Sequence, residues 1–190
     1  MNIEIKKLSP KLVDDYINFF DTTALETKEN KCYCICWCSA DHSAIDDLAA
    51  QNRRELAIEY VKNGTLQGYL AYNGEQVIGW CNANEKNNCT KCMSWLKYMQ
   101  EVEITPDDKV KSVFCFVIAP KYRRMGVATK LLKRVLSDAK AEGFDYVEAY
   151  PRLDTKSYSN FQGYLRMYEK VGLKKCYKTS DKIIMRKALI

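Results

Sequence analysis

The positions of the apolar residues divide the chain into short strand-like and helix-like stretches. Ile3, Ile5 and Leu8 predict a short first strand. From Pro10 to Phe20, Leu12, Val13, Tyr16, Ile17 and Phe20 recur at helical spacing, and Pro10 suits a first turn. Residues 21–42 keep no period and are rich in cysteine. Ser43, with Asp46 three residues on, predicts the cap of a helix that runs to about Lys62, where Asn63-Gly64 stops it. Two apolar runs, 66–72 and 77–81, flank Asn73-Gly74, which is a strong hairpin signal. Residues 82–110 are polar. They predict a short helix near 92–99 and an acidic loop carrying Glu101, Glu103, Asp107 and Asp108.

Beyond that loop the pattern sharpens. The run SVFCFVI (112–118) has no polar alternation, as expected of a strand buried on both faces, and Ala119-Pro120 ends it. A helix is predicted over 126–141, with Val127, Ala128, Leu131, Leu132, Val135, Leu136 and Ala139 on one face and Gly143 as its stop. A short strand at 145–150, a helix over 161–171 ending at Gly172, and strands at 174–178 and 182–186 follow. This order predicts a mixed α/β sheet in one domain.

Composition narrows the class. The 190 residues predict a single domain, 1–190, able to bury roughly 70% of its unfolded surface. With 47% hydrophobic and 28% charged residues, disorder, collagen and a coiled-coil rod are excluded. No run approaches 18 uncharged apolar residues, which argues against a membrane partner, and MNIEIKKLSP lacks the apolar core of a secretory signal, so a cytoplasmic location is expected. The nine cysteines are an odd number, which with that location favours reduced thiols over a disulfide framework. Charge is uneven: residues 1–120 carry 13 Lys and Arg against 17 Asp and Glu, whereas 121–190 carry 17 against 7. The C-terminal part should therefore attract a polyanion, and a phosphorylated cofactor explains its sign as well as nucleic acid does. Nucleic acid is disfavoured because the charges are spread over helices and strands without clustered aromatics.

The informative segment is VFCFVIAPKYRRMGVA (113–128). A buried strand feeds a basic turn that opens into an amphipathic helix. Such a turn aims backbone N–H groups at one point, and the helix dipole adds partial positive charge there. Arg123 and Arg124 add formal charge, Gly126 admits close approach to the backbone, and Val127 and Ala128 keep the first turn slim. Physically this is a pyrophosphate site. It is neither a Walker loop nor a Rossmann fingerprint, since it lacks GxxxxGK[ST] and has one glycine.

The run Arg123-Arg124-Met125-Gly126-Val127-Ala128 resembles the [Q/R]-x-x-G-x-[G/A] signature of the GCN5-related N-acetyltransferases (GNAT). VIAPKYR resembles their strand-to-loop lead-in, and MYEKVGL (167–173) their YEK-GF ending. The resemblance is strongest over 112–175, the motif-bearing core. It implies the GNAT acyl-CoA N-acyltransferase fold, a central mixed sheet of six or seven strands flanked by about four helices. It also implies acetyl-CoA as donor, without a metal, and attack by a primary amine in a ternary complex. By this resemblance the backbone of Phe116, Val117 and Ile118 pairs with pantetheine. The backbone of Arg123, Arg124, Met125, Gly126, Val127, Ala128 and Thr129 cradles the pyrophosphate, and Tyr168 serves the leaving thiolate. The last role suits a phenol of pKa ~10 facing a thiol of ~8.5. Two positions depart from the family: Phe161 stands where an Asn is usual, next to Asn160, and Tyr164 where a small residue is usual.

An amine acceptor must lose a proton, which costs about 4.6 kcal/mol at pH 7 for a pKa of ~10.4. Glu148 is the first candidate base. YVEAYP resembles the fifth strand of ribosomal-protein acetyltransferases, which carries a catalytic Glu, and alternation sets Tyr146, Glu148 and Tyr150 on one face. Glu101 and Glu103 are runners-up, and a salt-bridged structural role competes for Glu148. The acidic balance of 1–120 points to a cationic acceptor such as a polyamine, an aminoglycoside or a Lys-bearing peptide. Cys32, Cys34, Cys36 and Cys38 alternate as in an extended segment lining the acceptor cleft, with Tyr33 and Trp37 as an aromatic wall. Their spacing is not that of a zinc site, Cys89 and Cys92 form a lone CxxC, and His42 reads as a surface residue. Cys115, on a buried apolar strand, is disfavoured as a covalent nucleophile. A non-catalytic acyl-CoA-binding module and a Cys-rich metal- or redox-responsive protein remain as rival readings; oligomeric state is open.

Overall fold

The computed structural model describes residues 2–24, 31–38, 50–153 and 161–189. Seven strands form one sheet in the order β1-β2-β3-β4-β5-β7-β6: β1 Ile3–Lys7, β2 Gly68–Asn73, β3 Gln76–Glu85, β4 Val110–Ile118, β5 Tyr146–Ala149, β6 Lys174–Lys178 and β7 Ile183–Ala188. Every neighbouring pair is antiparallel except β4 and β5. That parallel pair spans only Val110–Val113 against Tyr146–Ala149. Past Val113, β4 runs on to Ile118 without its neighbour, so the sheet opens on that side.

The helices are α1 Val13–Asn18, α2 Ala50–Lys62, α3 Lys86–Cys89, α4 Met93–Tyr98, α5 Val127–Ala141 and α6 Leu165–Lys170. The path into α1 begins as a tight turn at Pro10 and leaves through a wider one, in which the Ala24 N–H donates to the Phe19 carbonyl at 2.8 Å. That wide turn buries Phe19 and Phe20 together. One core layer packs these residues, α2 and the turn around Ile35 against Leu70, Trp80, Phe114 and Cys115. The other packs α5 and Tyr168 against Ile78, Cys81, Val113 and Phe116. Alternation on β4 breaks once: Asn82 faces Cys115 and Ala83 faces Val113, so Phe114 is an extra residue. The bulge sends Phe114 and Cys115 to the same layer.

Several expectations shift. The helix expected over 43–62 is seen as α2; Ser43, Asp46 and His42 lie outside the described residues, as does Asn160. The helix expected over 161–171 is only α6, because Gly163 takes φ 78° and Tyr164 is extended at φ −101°, ψ 141°. The cysteine run is not extended. Tyr33 and Cys34 both adopt left-handed backbone, φ 44° and 52°, and a single tight helical turn, Ile35–Trp37, follows. α3 was not expected, and β3 continues four residues past the apolar run that predicts it.

Candidate active site

The basic turn is built as its residues demand. After Ala119 a tight turn at Pro120–Tyr122 leads to Arg123 in extended backbone, then Arg124 at φ 66° and Gly126 at φ 81°. Arg123, Arg124, Met125 and Gly126 are exposed, and space beside Gly126 is open where a Cβ would stand. The Lys130 N–H closes the first bond of α5 on the Gly126 carbonyl at 3.0 Å. The amides of Val127, Ala128 and Thr129 have no carbonyl one turn earlier within the helix, which leaves them for an anion. Val127 is buried and anchors this end of α5: a Cβ on Gly79 of β3 would meet Val127 Cγ1 at 3.1 Å and Ile118 Cδ1 at 2.9 Å. The Arg123 Nε donates to the Ile118 carbonyl at 3.2 Å, tying the turn to the end of β4. An exposed cradle of amides and two guanidinium groups fits a diphosphate.

Phe116 and Ile118 aim their amides away from β3, toward the side that β5 has left. The Phe116 N–H donates to the Phe161 carbonyl at 2.6 Å. One residue on, the Gln162 carbonyl accepts the Tyr168 hydroxyl at 2.6 Å. Gly163 lets this strap turn over Tyr168, where a Cβ would lie 3.1 Å from Oη. Tyr168 is fully buried, and burial pushes its phenol well above the usual value, so it stays a proton donor. The Phe116 and Tyr168 rings lie 6.4 Å apart. The structure thus brings Phe116, Tyr168 and the start of α5 into one neighbourhood. It also meets the Phe116 amide and the Tyr168 hydroxyl with the strap's own carbonyls, where the resemblance implies cofactor atoms.

On the opposite face of β4 lies a cavity of about 390 Å³. Phe114, Cys115 and Val117 of β4 floor it, the cysteine turn contributes Cys32, Cys34, Cys36 and Trp37, and Arg152, Asp181 and Lys182 stand on the side of β7. Trp37 stacks on Phe114 at 4.9 Å and Phe114 on Tyr150 at 5.6 Å. Trp37 supplies the expected aromatic wall; Tyr33 instead turns inward, its hydroxyl donating to Asp21 at 2.6 Å.

Glu148 is not among the residues lining this cavity. It is fully buried, with Lys86 Nζ at 2.7 Å and the Tyr150 hydroxyl at 2.9 Å on Oε1, and Arg186 Nε at 2.7 Å and Nη2 at 2.6 Å on Oε2. The Tyr150 oxygen also shares a hydrogen bond of 2.6 Å with Ser112. Tyr146, Glu148 and Tyr150 do share a face, since Arg186 lies 5.0 Å over the Tyr146 ring. To take a proton, Glu148 would have to surrender one of these bonds. Glu101 is exposed and bonded by the amide and hydroxyl of Ser180, which hold its carboxyl below the usual value. The Glu103 carbonyl accepts Lys86. Lys86 and Arg186 carry no motif; a pattern-based reading misses them because only the folded sheet joins them to Glu148.

All nine cysteines are free. Among the described residues no group of three or more His, Cys, Asp or Glu is placed to hold a metal ion. No helix among them is long and apolar enough to cross a membrane.

Comparison with known proteins agrees with this geometry. A search of curated proteins found no match. Among solved structures, an acetyltransferase of the GNAT family from Streptococcus pneumoniae superposes with a TM-score of 0.56 at 16% identity, covering 98% of this chain and 99% of that one. The ribosomal-protein-S18-alanine N-acetyltransferase of Escherichia coli gives 0.52 at 11% identity over 99% and 94%. The PaiA N-acetyltransferase of Thermoplasma acidophilum, solved in complex with coenzyme A, gives 0.50 at 15% identity over 99% of each chain. These likenesses show a shared fold. The model of the acetyltransferase (GNAT) family matches residues 22–173, so the chain belongs to the GNAT acetyltransferase family.

Proposed function

We propose that this chain is a single-domain cytoplasmic enzyme that moves the acetyl group of acetyl-CoA to a primary amine by direct attack in a ternary complex. The observation that carries the reading is the opening of the sheet past Val113, with the basic turn and α5 on one side of β4 and the aromatic cavity on the other. Acetyl-CoA carries a thioester and three phosphates. The amides of residues 126–129, with Arg123 and Arg124, bind the diphosphate. The Phe116 and Ile118 amides hold the pantetheine arm once the strap at 161–163 gives up its bond to Phe116. The acyl carbon then lies at the bulge of β4, within reach of an amine in the cavity. Tyr168, freed from the Gln162 carbonyl, donates its hydroxyl to the departing thiolate.

The described lining favours an acceptor with an apolar or aromatic body. Lys182 and Asp181 pair with each other, which leaves Arg152 as the unbalanced charge, so the lining speaks for a neutral or anionic acceptor over the cationic one that the acidic N-terminal balance suggests. The amine's proton reaches Glu148 only by way of Tyr150, one layer behind Phe114. In this reading Glu148 is the far end of a relay.

The test is thiol release from acetyl-CoA across a panel of amines. Tyr168→Phe should cut the rate by about 100-fold, the lower end for a positioned acid, while calorimetry finds coenzyme A affinity unchanged. An unaltered rate would remove Tyr168 from the reaction, and no heat of binding with the wild-type chain would remove the acyl-CoA reading itself.

A further inference from the structure

The cysteine turn does more than wall the cavity. Tyr33 and Cys34 hold left-handed backbone, a conformation unfavourable to side-chain-bearing residues. The fold pins them there: the Tyr16 hydroxyl donates to the Tyr33 carbonyl at 2.5 Å, and Asn82 Nδ2 donates to the Cys34 carbonyl at 3.3 Å. The same Asn82 nitrogen stands 3.3 Å from Cys34 Sγ. The Trp80 indole N–H nearby is fully buried and makes no hydrogen bond of its own, and it also lowers the Cys34 thiol. Cys115, opposite Asn82 on the neighbouring strand, lines the same cavity. One sulfur at the cavity wall therefore takes the Asn82 amide, with Cys115 and Trp80 beside it. The neighbouring Cys115 thiol is the largest influence lowering the Cys34 thiol below its usual value against burial, while Cys115 itself is pushed up and burial pushes Cys32 up to about 11.

This sulfur lies beside Cys115, at the bulge where the acyl carbon is brought under the acyl-CoA reading, on which the inference rests. We propose that Cys34 is an S-acylation site: when no amine stands in the cavity, its sulfur takes the acyl group from bound acyl-CoA. A bond forms between Sγ and the carbonyl carbon, and the bond from that carbon to the coenzyme A sulfur breaks. The leaving sulfur keeps the electron pair and takes the proton that Cys34 gives up, so a thiol and a thioester yield a thiol and a thioester. No further reagent is needed, and the exchange is reversible by free coenzyme A. The Asn82 amide steadies negative charge on Sγ in the forward and the return step alike. Acyl-Cys34 fills acceptor space, so its level follows the ratio of acyl-CoA to coenzyme A.

The experiment is acid-quenched intact-mass analysis of the full chain incubated with acetyl-CoA and no amine. A single acetyl increment is expected. Hydroxylamine and excess coenzyme A should remove it, peptide mapping should place it on Cys34, Cys34→Ala should lose it, and Cys36→Ala, on the same wall, should keep it. Where Cys34→Ala does not fold, the peptide map of the wild-type adduct decides. An unmodified wild-type chain that still binds acetyl-CoA, or an adduct mapped elsewhere, overturns the proposal and leaves the amine-acetylation reading standing. Absence of acetyl-CoA binding overturns both.

Discussion

Glu148 shows what a buried carboxylate requires. Its two oxygens take four donor groups from Lys86, Tyr150 and Arg186, and the Lys86 side chain is as enclosed as its own. An ion pair of this kind gains little over an apolar filling, but losing one partner strands the others. Glu148→Gln keeps the shape and removes the charge. It is expected to cost about 3–5 kcal/mol, seen as a lower urea midpoint at unchanged slope, and Lys86→Met in the same chain should restore part of the loss. An unchanged midpoint would mean that the cluster contributes no ionic stabilisation. The sequence displays Glu148 and Tyr150 on one face by simple alternation, but Lys86 lies 62 residues away and has no local signature. The same limit hides Asn82 and Trp80: a polar residue interrupting the apolar β3 is visible, and the sulfur that it addresses is not.

At the scale of elements, the contact between α5 and β3 fixes where the amides proposed to bind the diphosphate sit. Leu131, Leu132 and Val135 are fully buried beneath the helix, and Gly79 lets the first turn approach the sheet. Gly79→Ala would press a methyl group against Ile118 and Val127. The expected result is a loss of roughly 1–3 kcal/mol in stability by chemical denaturation and a weaker affinity for coenzyme A by calorimetry, because the start of α5 shifts. Retained affinity would show that the amides tolerate the shift. α5 is legible in the sequence because its 15 residues repeat a single apolar face. The strap at 161–164 is misread for a reason of the same kind. Phe161, Tyr164, Leu165 and Tyr168 keep helical spacing, yet the positive φ of Gly163 breaks the path after which α6 begins. The cysteine run fails likewise: period-two spacing fits a strand, but two left-handed residues fold it into a turn.

For the molecule as a whole, one topological fact organises the rest. The single parallel pair separates early, so two core layers meet along β4, each with its own half of the site: Phe116 and Tyr168 in one, Phe114 and Cys115 in the other. The fold class could be read from VFCFVIAPKYRRMGVA, and so could the strand, turn and helix proposed as the diphosphate cradle, because they are contiguous there. The cavity could not, because its walls come from seven separate segments, from Phe20 to Lys182.

The early parting of β4 and β5 also bears on handling. A strand that outlasts its neighbour offers a seam to which another polypeptide can zip, and here the Phe161 carbonyl stands guard over it. Coenzyme A whose pantetheine arm fills that seam should act as a preservative. At a hundredfold excess over its Kd it adds about 2.7 kcal/mol, a rise of roughly 5–10 °C in melting temperature, and material stored with it should precipitate later than material stored without.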